Sequence, residues 1–258
     1  MSKMFRVRHF STSLTNPRSK WNLLSSTTKV RMSLPVTRLV HSSSDDASQK
    51  IHELRIYSIN PNNVRDFLTL TSEEFHLRTS HSKLVGYWTS EIGGLNQVVH
   101  IWEYDSLSHR SQVRANLASD PNWNSRYLGR VIGMFREMTN SAMVLIPDAG
   151  ITQPAGKGVY ELQTLSLQGS PTIWSQSLVN YVKACKGIEN GNSMLVGAWQ
   201  SVLGPRQMTA LLWQHPGPDS CVTLQKHLAG LDESNALAPH IRDGHNRLLL
   251  PHPVSPLQ

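Results

Sequence analysis

Cysteine is nearly missing: Cys185 and Cys221 are the only two in 258 residues. Two cysteines cannot build a disulfide framework, and these two lack metal-type spacing, so free thiols in a reducing compartment are expected. Also missing is any apolar run approaching the ~18 residues that a membrane-spanning helix needs, which leaves a soluble or membrane-peripheral protein. Signatures of phosphate and acyl chemistry are lacking as well. Gly156-Lys157-Gly158 has neither the preceding glycine spacing nor the following hydroxyl of a phosphate loop, and neither G-x-G-x-x-G nor G-x-S-x-G occurs.

Acids are missing from residues 1–44 altogether. That stretch carries eight Lys and Arg and the hydroxyl clusters Ser11-Thr12-Ser13, Ser25-Ser26-Thr27-Thr28 and Ser42-Ser43-Ser44. Basic, Ser-rich and acid-free is the composition of a mitochondrial transit peptide, drawn inward by a negative matrix potential. Residues 1–47 are therefore expected to be such a peptide, cleaved between Arg38 and Ala47. No continuous apolar core suits it to secretion. The formal charge of +7 has the same origin. Nine of the 25 basic residues and two of the 18 acids fall in residues 1–50, leaving 16 of each in the remainder. The folded body thus carries no net charge, and nucleic acid is not an expected partner.

What is present is a repeat. Lys83-Leu84-Val85-Gly86-Tyr87-Trp88-Thr89-Ser90 recurs 111 residues later as Met194-Leu195-Val196-Gly197-Ala198-Trp199-Gln200-Ser201. Trp102 and Trp213 keep that offset, Glu53-Leu54 returns as Glu161-Leu162, and Val144-Leu145-Ile146-Pro147 returns as Leu248-Leu249-Leu250-Pro251. The copies span residues 51–147 and 159–251, joined by a Gly- and Pro-containing linker, 148–158.

Each copy has one order of elements. In the first, His52–Ile59 alternates as a strand, and Pro61–Thr79 has helical spacing of apolar residues. Leu84–Ile92 and Gln97–Tyr104 flank a Gly93-Gly94-Leu95-Asn96 turn. Ser106–Ala118 is expected to be helical, and Asp120-Pro121 to cap a further helix running to about Met138. Met143–Ile146 closes the copy as a strand. This is the β-α-β-β-α-β, ferredoxin-like module, with helices on one sheet face only. Two modules placed sheet to sheet would cover each other's bare faces, so the fold class is α+β, a dimeric-type α/β barrel supplied by one chain.

His76-Leu77-Arg78-Thr79-Ser80-His81-Ser82-Lys83 leading into Leu84-Val85-Gly86-Tyr87-Trp88 resembles the hallmark of the NIPSNAP family, as do Gly93–Tyr104 and Asp120-Pro121-Asn122-Trp123. The resemblance extends over residues 51–258 and points to the family's homologue-three branch. In the second copy His76, Arg78 and His81 give way to Gly187, Glu189 and Asn192, and the Gly93–Asn96 turn to Gly204-Pro205-Arg206-Gln207. The resemblance implies a mitochondrial protein with the paired α/β-barrel fold. It also implies links to vesicular traffic or to mitochondrial quality control through adaptor recruitment, with no established catalytic activity.

The candidate site residues follow from the strand pattern. Glu53, Arg55 and Tyr57 share one face of the first strand, while Leu54 and Ile56 share the other. The apolar pair is expected against the helices, which would turn the polar row, with His100 and Glu161, into the barrel as a polar network or ligand pocket. His76, Arg78 and His81 form a second candidate ligand-binding set. His76 and His81 are five residues apart and so do not share a helix face as a zinc pair would. No catalytic residue, metal ligand or cofactor is assigned. Trp88, Trp102, Trp199 and Trp213 are expected in the core. The expected function is a non-enzymatic interaction protein of the mitochondrion, matrix for preference, with protein partners. The alternative is a small-molecule or haem-binding enzyme using the barrel cavity. A cytosolic pool, peripheral membrane association and homo-oligomerisation stay open. A reporter fused behind residues 1–50 should reach mitochondria in fluorescence microscopy, and one that stays cytosolic would refute the transit-peptide assignment.

Overall fold

The computed structural model describes residues 49–258 except 189–192. The expected transit peptide, residues 1–47, lies outside the described residues, as do Glu189 and Asn192 of the second copy. Alternation along the first strand becomes β1 (Ile51–Ile59), followed by α1 (Val64–Glu74), α2 (His76–Thr79), β2 (Lys83–Ile92), β3 (Gln97–Tyr104), α3 (Leu107–Ser119), α4 (Gly129–Val131) and β4 (Phe135–Leu145). The second half repeats the order with β5 (Val159–Leu167), α5 (Pro171–Lys186), β6 (Met194–Leu203), β7 (Met208–His215), α6 (Pro218–Leu228), α7 (Asp232–Leu237) and β8 (Ile241–Pro251). No helix among the described residues is long and apolar enough to cross a membrane.

The eight strands form one closed antiparallel barrel in the order β1-β3-β2-β8-β5-β7-β6-β4. Each half contributes four consecutive strands, β4-β1-β3-β2 and β8-β5-β7-β6. The seams are β2 against β8, from Trp88↔Pro251 to Ile92↔Leu248, and β4 against β6, from Ala142↔Leu203 to Leu145↔Trp199. Closure satisfies edge N–H and C=O groups that a lone four-stranded sheet would leave bare.

All eight strands send apolar side chains into one buried cluster, including Leu54, Ile101, Val196, Leu212 and Leu249 together with the indoles of Trp88 and Trp199. This cluster fills the lumen. The opposite faces pack on helices: Phe67 and Leu70 of α1 and Val113 and Leu117 of α3 in the first half, Trp174 and Leu178 of α5 and Leu224 of α6 in the second. The four repeated tryptophans are all fully buried, but they divide between layers. Trp88 and Trp199 enter the lumen, and Trp102 and Trp213 meet helices.

Two local expectations differ from the structure. The helix after Asp120 ends by Met134, and β4 begins at Phe135 rather than Met143. Residues Arg136–Asn140 are exposed and show no apolar periodicity, so only the ladder to β1, Tyr57↔Met138 and Ile56↔Thr139 among its pairs, makes them a strand. The Pro61–Thr79 helix is broken at Phe75, whose ring is buried against Tyr87 and Trp102. The joining segment is hydrogen-bonded to the second half: Thr152 N donates to Val196 O at 2.8 Å and Gln214 Nε2 to Gly156 O at 2.7 Å.

Gly86 and Gly197 sit at matching irregularities of β2 and β6. A Cβ on Gly86 would lie 2.1 Å from Cη2 of Trp88, and one on Gly197 would lie 2.5 Å from Cη2 of Trp199. Each glycine leaves room for an indole two residues on, inside a lumen with no slack. Gly86→Ala and Gly197→Ala should each lower stability by roughly 1–3 kcal/mol in urea denaturation, the usual cost of overpacking. Gly133→Ala, where a Cβ meets nothing within 4 Å, should stay within about 0.5 kcal/mol. Equal midpoints for all three would mean that the indoles move aside freely.

Candidate functional site

The polar row of β1 points the opposite way from expectation. Leu54 and Ile56 pack in the lumen, and Glu53, Arg55 and Tyr57 lie between the sheet and the helices. The barrel interior takes Leu54 and Ile56 with the apolar rows of the other strands, whereas the helix layer of the first half leaves a cavity of about 410 Å³. Among the described residues apolar side chains fill the barrel interior, and this cavity lies outside it.

Strands and helices of the first half build the cavity, with α3 and β4 contributing at its edges. β1 supplies Arg55 and Tyr57, β2 Tyr87, and β3 His100 and Trp102; the segment around α1 and α2 supplies Phe67, Phe75 and Arg78. The far wall is the segment after α3. Asp120 caps it, its Oδ1 accepting from the backbone N–H of Asn122 at 2.9 Å and of Trp123 at 3.2 Å. Trp123–Leu128 then winds as a π-helix, a widened turn that is often found at functional sites. It sets Trp123 and Tyr127 in ring contact at 4.9 Å, with the Tyr127 hydroxyl 2.9 Å from Thr71 Oγ1.

One buried carboxylate organises the floor. Glu53 Oε1 accepts from Arg110 at 2.5 Å and from Asn140 Nδ2 at 2.6 Å. Its Oε2 lies 3.0 Å from Arg55 and accepts from the Tyr104 hydroxyl at 3.3 Å. Burial pushes the Glu53 carboxyl up, but Arg110, Arg55 and Asn140 outweigh it and hold it at about 2. Arg55 donates on to the Tyr57 hydroxyl at 2.7 Å, and its Nε–H has no partner among the described residues.

Arg78 is 3% exposed and has no carboxylate within ion-pair reach among the described residues. It donates to Ser82 Oγ and to Tyr104 Oη at 2.6 and 2.9 Å and lies 3.8 Å above the Trp102 ring. Burial lowers its pKa from the ordinary guanidinium value. His100 is 4% exposed, with its ring stacked on Tyr87 and edge-on to Tyr57. Burial, then Arg55 and Arg78, push its pKa well below the ordinary histidine value, so the ring is neutral. Trp102 Nε1–H donates to His100 Nδ1 at 2.7 Å, which places the imidazole proton on Nε2. That Nε2–H is buried and has no acceptor among the described residues.

The two candidate sets are thus regrouped. Arg55, Tyr57, His100 and Arg78 line one cavity, with Glu53 beneath it. His76 is exposed and rests on Glu73 O, while His81 pairs with Asp120 at 3.2 Å beyond the end of α2. Neither lines the cavity. Glu161 belongs to the corresponding layer of the second half, beside Gln225 and Asn246. Residue spacing did not reveal Trp123, Tyr127, Arg110 or Asn140. The Asp120-Pro121 cap and the Asp120-Pro121-Asn122-Trp123 motif were the signals near the first two, and Arg110 and Asn140 come from α3 and β4, far in sequence from the strands they meet.

The NIPSNAP family model matches residues 52–149. Among curated relatives, Protein NipSnap homolog 3B of Mus musculus is 33% identical over 214 residues, 80% of this chain and 85% of that protein. Protein NipSnap homolog 3A of Homo sapiens is 32% identical over the same shares. A solved Fusobacterium nucleatum structure superposes with a TM-score of 0.57 over 82% of this chain and 99% of that one; at 10% identity it speaks for the fold alone.

Glu53→Gln should remove the counter-charge of Arg55 and Arg110 and cost on the order of 3 kcal/mol near neutrality, read from chemical denaturation. The pH dependence has a definite sign. A carboxyl held at about 2 rather than its ordinary 4.5 stabilises the fold above about pH 4.5 and loses that contribution as pH falls through about 2. The native protein should therefore lose stability across that window more steeply than Glu53→Gln. Parallel curves would mean that the network does not couple to Glu53.

Proposed function

The chain belongs to the NIPSNAP family, and from that membership we propose a mitochondrial, non-enzymatic binding protein whose first half holds a small organic anion between sheet and helices. The carrying observation is the unspent His100 Nε2–H beside two guanidinium groups, Arg55 and Arg78, of which only Arg55 pairs with a carboxylate, Glu53, itself shared with Arg110. A buried donor without an acceptor costs about 1–3 kcal/mol, and a ligand oxygen placed there would recover it. The walls around those donors are aromatic and aliphatic: Phe75, Tyr87, Trp123, Tyr127 and Val131 among them. Their combination suits an aromatic or branched monocarboxylate, head toward His100 and tail toward Trp123 and Tyr127. The cavity volume of about 410 Å³ falls in the range of small-molecule sites.

Binding rather than turnover is favoured by the lining itself. Among the described lining residues there is no Ser, Cys, Lys, Asp or Glu, and the basic nitrogen of the neutral His100 ring is occupied by Trp102. The mitochondrial address rests on the acid-free basic leader. Its output, in keeping with the family, is protein interaction in vesicular traffic or mitochondrial quality control.

Isothermal titration of the full chain with phenyl- and indole-carboxylates should show binding, and the matching neutral amides should bind at least about tenfold more weakly. Arg78→Met should weaken carboxylate binding by roughly 10- to 100-fold, the worth of one charged hydrogen bond. Equal affinity for acids and amides, or none for either, would remove the anion assignment.

A further inference from the structure

The second half repeats the buried glutamate but not its counter-charges. Glu53 pairs with Trp102 across β1 and β3, and Glu161 pairs with Trp213 across β5 and β7. By that register Tyr104 corresponds to His215, Arg55 to Gln163, Asn140 to Asn246 and, eight residues beyond each tryptophan, Arg110 to Cys221. Both arginines that neutralise Glu53 are therefore absent around Glu161. In their place stand an amide and a thiol.

Glu161 is 3% exposed and His215 is fully buried. Gln225 Nε2 and Asn246 Nδ2 both donate to Glu161 Oε1, at 2.8 and 2.7 Å, leaving Oε2 without a hydrogen-bond partner. Ser193 Oγ holds His215 Nδ1 at 2.9 Å, while His215 Nε2 also has no hydrogen-bond partner and lies 3.3 Å from Glu161 Oε2. The Cys221 sulfur joins them, all three ligand atoms lying within 4.8 Å of one another.

We propose that Glu161, His215 and Cys221 form a zinc-type metal site in the second half. A buried carboxylate requires a counter-charge or a metal, and a divalent cation supplies what the two arginines supply in the first half. Nitrogen, oxygen and sulfur donors suit zinc or a metal of similar preference. The 3.3 Å between Nε2 and Oε2 is the spacing of two ligands on one tetrahedral ion with bonds of about 2.0–2.1 Å. An outer shell is already in place, Ser193 on the unused ring nitrogen and Gln225 with Asn246 on the unused oxygen. With Ser193 accepting from Nδ1–H, the Nε2 lone pair faces the cluster. Three protein ligands leave a fourth position on a tetrahedral ion for water, and of the three Cys221 is the one that is partly exposed.

The untagged full chain, stripped with chelator, is titrated with Co²⁺ under anaerobic conditions. One equivalent should bind, producing a thiolate-to-cobalt charge-transfer band in the near ultraviolet that Zn²⁺ abolishes on displacement. Cys221→Ser, at the partly exposed position, should keep the circular dichroism of the fold and lose the band. Its Zn²⁺ affinity should fall by at least about 10- to 100-fold, the loss that removal of even an outer-shell partner brings. Glu161→Gln should weaken Zn²⁺ binding comparably. Absence of the band in the native chain, or a band of undiminished strength in Cys221→Ser, would overturn the site and leave His215 and Glu161 as an ordinary ion pair.

Discussion

The seams β2–β8 and β4–β6 leave the sheet without an open edge, and apolar side chains from all eight strands fill the lumen they enclose. An unpaired polar group there is costly, and the lumen accepts few of them, the indole nitrogens of Trp88 and Trp199 among them, so the rows that turn inward are mainly apolar. Because side chains alternate, choosing the inner row also chooses the outer one. Glu53, Arg55, Tyr57 and His100 reach the helix layer because Leu54, Ile56, Val99 and Ile101 are needed inside. The matching bulges at Gly86 and Gly197 belong to the same constraint, admitting one indole from each half into the closed space.

The two halves meet the same difficulty, a buried glutamate at the start of a central strand, in different ways. In the first, Arg55, Arg110 and Asn140 surround Glu53, and charge left over on Arg78 and Arg55 faces an aromatic cavity. In the second, the corresponding layer is packed closed around Trp174, Tyr181 and Trp213, and Glu161 faces His215 and Cys221. Duplication preserved the frame and its tryptophans, while the polar layer diverged into two separate chemistries. The curated relatives that match over most of the chain place both halves within one family. They leave the polar layer of each half to be understood from its own contacts.

Several features were legible in residue order. The offset of 111 residues between the tryptophan-bearing strands, the alternation of β1 and the Asp120-Pro121 cap all reflect local rules: strand period, duplication and capping. These were enough for the paired-barrel architecture and the family resemblance. Residue order also separated a balanced body from a basic leader, since charge is additive along a chain.

Tertiary structure alone decided the direction of each row and the membership of each site. Both faces of these strands are covered, one by the opposing sheet and one by helices, so hydropathy shows that faces differ without showing which lies inside. Arg78 joined His100 and Arg55, and His76 and His81 fell away, because Arg78 lies about 200° around the helix from His76 and His81 lies beyond the end of α2. Glu161 lies 54 residues before His215, with Cys221 six beyond it. No linear spacing announces that trio; it exists because the β5–β7 ladder and the start of α6 converge on one buried oxygen.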